Sequence, residues 1–346
     1  MNKVLNFVNK ERLYLLILVF VLLFNAIMFL SPEKAEKVKK AKAGQELSQD
    51  LFARRPDIEE SLRKNGPLML LFGMATMLIL AMLMLGTSLD FIIFSSLLSK
   101  KFDIRSLSPP AAKWTIWDLC KVIILFLFFG YILIIAEAFW ARIFPILKSD
   151  NIRMIINTTI LDILAVVFII NLSIVQYKEN LEALGLSVKN FFKNVFYGIV
   201  GYIALLPVLA VILAVTAIII SITKYVPERQ PVVEMFLKEK DVAFLTYSSF
   251  FAAVLGPIVE ELFFRGFMYN ALKKYTGVLW SVVITAAIFA TLHSHVVGFL
   301  PIMALGILLA FLYEKTGTLV SSMTVHITHN LSMVFLVFLI KQAGVV

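Results

Sequence analysis

The chain has 346 residues, of which 60% are hydrophobic and only 16% are charged. Soluble globular domains carry about 25% charged residues, so this composition excludes a water-soluble globule and indicates a protein that lies mostly in lipid. The net charge of +9 is spread over many short connections and is not gathered on one aromatic-rich face. We therefore expect the lipid bilayer, and no nucleic acid, as the partner of the basic residues.

Continuous apolar runs of about 20 residues, the length that a helix needs to cross a bilayer, recur along the chain. Their lack of polar-apolar alternation argues against a β-barrel. The sequence thus predicts an all-α, polytopic transmembrane bundle of roughly nine spans. The runs cover residues 12–30, 67–97, 116–139, 152–176, 194–223, 243–272, 279–293, 299–313 and 318–340.

Two parts are predicted, with a boundary close to Pro109 and Pro110, which interrupt any helix. Residues 1–110 form an N-terminal extension with two spans and a charged loop, residues 31–66. Its first run is long and lacks a small-residue cleavage site, so we expect an uncleaved anchor. Residues 111–346 form the core, and its chemistry concentrates at about residues 250–335.

Isolated acidic residues occur within or near the spans at Asp90, Glu137 and Asp162. A charge in the bilayer core is costly and calls for a partner or a function. Since these three residues stand singly, we favour interfacial or packing roles for them. The single cysteine, Cys120, excludes an intrachain disulfide and a two-cysteine metal site.

A different pattern follows Pro257, where Glu260 and Glu261 are followed by Arg265 within an apolar helix. Glu261 and Arg265 are one turn apart and can form an ion pair. Glu260 points about 100° away around the helix and can face another element. Two interpretations stay open on these residues alone: a general base, or a structural salt-bridge cluster.

All four histidines fall within 37 residues near the C-terminus, on two further spans: His293, His295, His326 and His329. Phe289 precedes His293 by one turn and can pack against its ring, and Asn330 follows His326 by one turn. Glu260 and His293 can activate a water molecule. His326 and Asn330 can then donate hydrogen bonds to the oxyanion of a peptide carbonyl.

Three motifs on successive spans carry a family resemblance: Glu260-Glu261-x-x-x-Arg265, Phe289-x-x-x-His293 and His326-x-x-x-Asn330. Together they resemble the signature of the CAAX prenyl endopeptidases and their bacterial relatives, the CPBP or Abi family. The resemblance implies a glutamate-dependent, metal-free intramembrane peptidase without a cofactor. Glu260 and His293 would activate water, His326 and Asn330 would form the oxyanion hole, and Glu261, Arg265 and Phe289 would support them.

The resemblance also implies a membrane-associated substrate, a peptide or a lipidated protein with a CAAX-like C-terminus. The site would lie in a polar cavity within the C-terminal helices of an integral multi-pass protein, in the plasma membrane if the source is prokaryotic.

Two alternatives remain. The first is a zinc peptidase, because His326 and His329 with His293 or Glu260 can ligate a metal, although no H-E-x-x-H motif occurs. The second is a non-catalytic protein of the same family, a membrane scaffold or an immunity-type protein. A serine protease is disfavoured because the chain lacks a G-x-S-x-G motif.

Overall fold

The computed structural model describes residues 8–30, 65–99, 108–109, 111–225, 231–293 and 296–343. His295 and nearly all of the predicted charged loop lie outside these ranges. Within them the regular structure is helical. The α-helices are α1 (Arg12–Leu30), α2 (Gly66–Leu98), α3 (Ile116–Trp140), α4 (Asp150–Ile170), α5 (Phe191–Thr223), α6 (Pro231–Lys238), α7 (Val242–Phe250), α8 (Gly256–Glu261), α9 (Asn270–Leu292), α10 (Phe299–Thr316) and α11 (Leu319–Gln342).

Seven helices in the described ranges are long and apolar enough to cross a membrane, which confirms a polytopic helical bundle. The longest apolar stretch, Val242–Leu292, has 51 residues and contains Gly277 with φ 74° and ψ 178°. Arg265 and Phe289, 24 positions apart, would be about 36 Å apart on a straight helix. Their side chains instead lie 4.7 Å apart, so the chain reverses at Gly277. This reversal, together with the shorter apolar helix α1, accounts for the roughly nine predicted spans.

The chain divides into two compact units, and α1, α3 and α4 belong to the first. A buried polar cluster holds this unit together: Tyr177 donates to Asp118 over 2.5 Å and Lys121 donates to Glu11 over 3.0 Å. Glu137 on α3 lies 4.0 Å from Arg153 on α4, which fits the packing role predicted for it. The domain boundary predicted near residue 110 stays a prediction.

The second unit comprises α2 and the helices from α5 to α11, and it contains all three motifs. Its apolar core is formed by side chains of α5, α10 and α11, which are buried on facing surfaces. These residues are Tyr202, Leu205, Leu209, Leu305, Leu309, Leu312 and Val325.

Close packing between α2 and α5 depends on Gly86. A Cβ atom at Gly86 would overlap the carbonyl oxygen of Ile203 and lie 2.8 Å from Cδ of Pro207, whereas a Cβ atom at Gly73 would meet nothing within 4 Å. We expect Gly86→Ala to lower the free energy of unfolding by about 1–3 kcal/mol, because overpacking forces the two helices apart. Gly73→Ala, on the same helix, is the matched control and should change little. Equal effects of the two substitutions on thermal unfolding in detergent would contradict this packing.

Candidate active site

The first motif lies on a helix that contains two π-helical stretches. Gly256–Glu261 is α-helical, and it is flanked by two π-helical stretches, Phe251–Leu255 and Leu262–Tyr269. In a π-helical stretch each backbone hydrogen bond joins residues that are five positions apart instead of four. Such stretches often occur at functional sites. Glu260 and Glu261 are the last two residues of α8, and Arg265 lies in the second π-helical stretch.

The predicted pair of Glu261 and Arg265 is confirmed. Nη1 of Arg265 donates to Oε1 of Glu261 over 2.6 Å, and both side chains are fully buried. Nη2 of Arg265 donates to the carbonyl oxygen of Gly306 on α10 over 3.2 Å. Each charge therefore has an opposite charge beside it, as buried ions require, and the pair connects α8 to α10.

His326 on α11 lies between the two carboxylates of the first motif. Its Nδ1 is 2.8 Å from Oε1 of Glu261 and its Nε2 is 3.7 Å from Oε2 of Glu260. His326 is 2% exposed, whereas the side chain of Glu260 is 38% exposed. Among the described groups Oε2 of Glu260 has no hydrogen-bond partner. Oε2 of Glu261 likewise has no partner among these groups, so Glu260 differs from Glu261 by its partial exposure and by lying outside the pair with Arg265.

Phe289 connects the second motif to the third, because its ring contacts the imidazoles of His293 and His326. The ring centroid lies 4.6 Å from that of His293 and 5.6 Å from that of His326. The predicted packing of Phe289 against His293 is therefore confirmed. His293 also places Nδ1 2.8 Å from the carbonyl oxygen of Phe289. Since a carbonyl oxygen only accepts, Nδ1 is the donor in this contact, and Nε2 is the ring nitrogen left for another group.

Asn330 is held by the backbone of the first π-helical stretch. Its Nδ2 donates to the carbonyl oxygen of Ala252 over 2.8 Å. One of its two N–H groups is engaged in this bond, and the second remains for another acceptor. Its predicted role as an oxyanion donor stays a prediction.

His329 points toward a different neighbour from His326. Its Nδ1 is 3.5 Å from the hydroxyl of Tyr202 on α5, and the two rings stand edge to face at 5.9 Å. Within the described ranges no three His, Cys, Asp or Glu side chains come together as a metal site. Whether the protein requires zinc is tested by the effect of a chelator on peptide cleavage.

A buried network around Glu314 was not predicted from the sequence. Glu314 on α10 is 4% exposed. It accepts from Tyr269 over 2.9 Å, from Lys273 over 2.7 Å and from Ser108 over 2.7 Å. The sequence signal for this network is the presence of two opposite charges, Lys273 and Glu314, each beside an apolar run. This network fixes the start of α9 against the end of α10 and so supports the helices that carry the site.

Comparison with known proteins adds two findings. Residues 242–332 match the family model described as "Type II CAAX prenyl endopeptidase Rce1-like". The chain is also 29% identical over 85 residues to the "Putative membrane peptidase YdiL" of Bacillus subtilis (strain 168). That alignment covers 25% of this chain and about a third, 35%, of the relative. No solved structure matches the chain.

The family match contains all three motifs, and the apolar helices described above are long enough to cross a bilayer. The protein is therefore an integral multi-pass membrane protein. Over residues 242–332 the chain is therefore similar to the CAAX prenyl endopeptidase family, and this similarity includes all three motifs.

Proposed function

We propose that the protein is an intramembrane endopeptidase that hydrolyses a peptide bond in a membrane-associated substrate. The observation that carries the proposal is the position of His326, whose Nδ1 lies 2.8 Å from Oε1 of Glu261 and whose Nε2 lies 3.7 Å from Oε2 of the partly exposed Glu260. A base and a hydrogen-bond donor adjacent to each other are what hydrolysis of an amide requires. The family match over the same residues supports it.

In the proposed reaction Glu260, assisted by Nε2 of His293, removes a proton from water. The water oxygen forms a bond to the carbonyl carbon, and the carbonyl oxygen becomes an oxyanion. The C–N bond then breaks, and Glu260 returns the proton to the departing amine. Proton transfer of this kind contributes about 10²–10⁴-fold to a rate.

The oxyanion would be stabilised by His326 and by the second N–H of Asn330. His326 already uses Nδ1 as a donor to Glu261, so it donates from Nε2 only as an imidazolium ion. Oε1 of Glu261 holds the Nδ1 side of this ring, and Nη1 of Arg265 donates to the same oxygen. In the proposal Glu261 and Arg265 therefore hold His326 in position, and Phe289 packs against both imidazole rings.

The proposed substrate follows from where the site lies. Its residues belong to apolar helices long enough to span a bilayer, so the scissile bond must reach the site from within or beside the membrane. The family description names prenyl CAAX endopeptidases. We therefore include in the proposal a peptide with a prenylated cysteine close to its C-terminus as the first substrate to test.

The test uses the detergent-purified protein with farnesylated and unmodified peptides, and products are followed by mass spectrometry with and without a chelator. We expect cleavage of lipidated peptides that survives the chelator, because the described residues supply a base and oxyanion donors without a metal. Activity that disappears with the chelator and returns with zinc would favour the zinc alternative. A folded preparation that cleaves no peptide in the panel would favour the non-catalytic alternative.

A further inference from the structure

Pro257 is a buried proline inside the helix that carries the first motif, three residues before Glu260. Proline has no backbone N–H, so it cannot donate a hydrogen bond to the preceding turn of a helix. In the adjoining π-helical stretch each N–H bonds to the carbonyl five residues earlier, as Gly256 does to Phe251. The next pair in this register is Pro257 with Ala252, and there the donor is missing.

The carbonyl of Ala252 is instead satisfied from another helix. Nδ2 of Asn330 on α11 donates to it over 2.8 Å. Side chains of neighbouring helices commonly satisfy the carbonyls that a transmembrane proline leaves without a donor. Because this carbonyl oxygen only accepts, the NH₂ group of Asn330 must face Ala252, which fixes the orientation of the whole carboxamide. The directions of its second N–H and of its Oδ1 are then fixed as well.

We propose that Pro257 is a positioning residue for Asn330. By removing one backbone donor it leaves the carbonyl of Ala252 to hold the carboxamide, so that the second N–H of Asn330 is oriented for the oxyanion. The last step, donation to an oxyanion, rests on the proposed function. The coupling between Pro257 and Asn330 rests on hydrogen-bond geometry and can be measured without any substrate.

The experiment compares wild type, Pro257→Ala, Asn330→Ala and the double variant by thermal unfolding in detergent. In Pro257→Ala the new N–H can bond to Ala252, so the midpoint should not fall. Asn330→Ala alone leaves the carbonyl of Ala252 buried without a donor and should lower the midpoint. The substitution Asn330→Ala should lower the midpoint less when Pro257→Ala is already present, because the backbone then supplies the donor.

The same four proteins are compared in peptide cleavage. Pro257→Ala should reduce kcat by about tenfold, because Asn330 loses the partner that orients it. Asn330→Ala should reduce kcat by about 10²–10³-fold, as the loss of an oxyanion donor does. Adding Pro257→Ala to Asn330→Ala should change kcat by no more than about twofold. Pro207→Ala, a proline in the interior of α5, is the control and should leave kcat unchanged.

Independent effects of the two substitutions in both measurements would overturn the proposal, as would a midpoint that falls together with activity in Pro257→Ala. If the effects of the two substitutions on the unfolding midpoint depend on each other, but the protein cleaves no peptide, the link between Pro257 and Asn330 stands. Only the proposed function is then rejected.

Discussion

Glu260→Gln is expected to reduce the kcat of peptide cleavage by about 10²–10⁴-fold, the usual effect of losing a general base. Glutamine keeps the size of the side chain but cannot take a proton from water. Folding should be retained, because the side chain of Glu260 is 38% exposed and its Oε2 has no hydrogen-bond partner among the described groups. The measurement is kcat on the best peptide of the panel, with the thermal unfolding midpoint determined on the same preparation.

Glu182→Gln is the matched control for this substitution. Glu182 is a carboxylate of the same unit, its side chain is 46% exposed, and it pairs with Lys189 over 2.9 Å. Its replacement should leave kcat and the midpoint unchanged. Full activity in Glu260→Gln would reject Glu260 as the base, and loss of activity in both variants would indicate a nonspecific effect of removing charge.

Arg265→Met is expected to lower the free energy of unfolding by about 3–5 kcal/mol, because it removes the buried guanidinium that pairs with the carboxylate of Glu261. Both side chains are fully buried, and Arg265 also donates to Gly306. Peptide cleavage should slow as well, since Glu261, the partner of Arg265, also contacts Nδ1 of His326. The unfolding transition in detergent, followed by circular dichroism, measures the first effect.

Lys238→Met is the matched control, because Lys238 also pairs one turn away, with Glu234, but at an exposed position. An exposed pair contributes less than about 1 kcal/mol, so this variant should unfold close to wild type. The double variant Glu261→Met with Arg265→Met should recover part of the lost stability, because no uncompensated charge remains. A double variant less stable than Arg265→Met would show that hydrogen bonds, and not charge balance, dominate at this position.

Contacts within one helix could be predicted from the sequence. Glu261 with Arg265, and Phe289 with His293, are each one turn apart, and regular helix geometry alone brings such side chains together. The apolar runs predicted the membrane-spanning helices for a similar reason, because the thickness of the bilayer fixes the length of a helix that crosses it. Even the reversal at Gly277 was present as a gap between two predicted runs.

Contacts between helices could not be predicted in this way. The carbonyls of Gly306 and Ala252 accept hydrogen bonds from Arg265 and Asn330, but every residue has a carbonyl, so no residue type indicates these acceptors. The change to π-helical register near Pro257 is also invisible to a pattern that assumes 3.6 residues per turn. The environment of Asn330 therefore required the structure.

The buried ion pair has a consequence for how the protein is made. Glu261 and Arg265 are neighbours on one helix, so they can neutralise each other as soon as that helix enters the bilayer. Phe289 joins them only after the chain has reversed at Gly277, and His326 and Asn330 only after α11 has been inserted. The buried ion pair can therefore form early in synthesis, and the proposed catalytic group is complete only when α11 has been inserted. A partly synthesised chain would contain Glu260 in the membrane without the imidazole and carboxamide of α11, and so would have no complete site with which to cleave its neighbours.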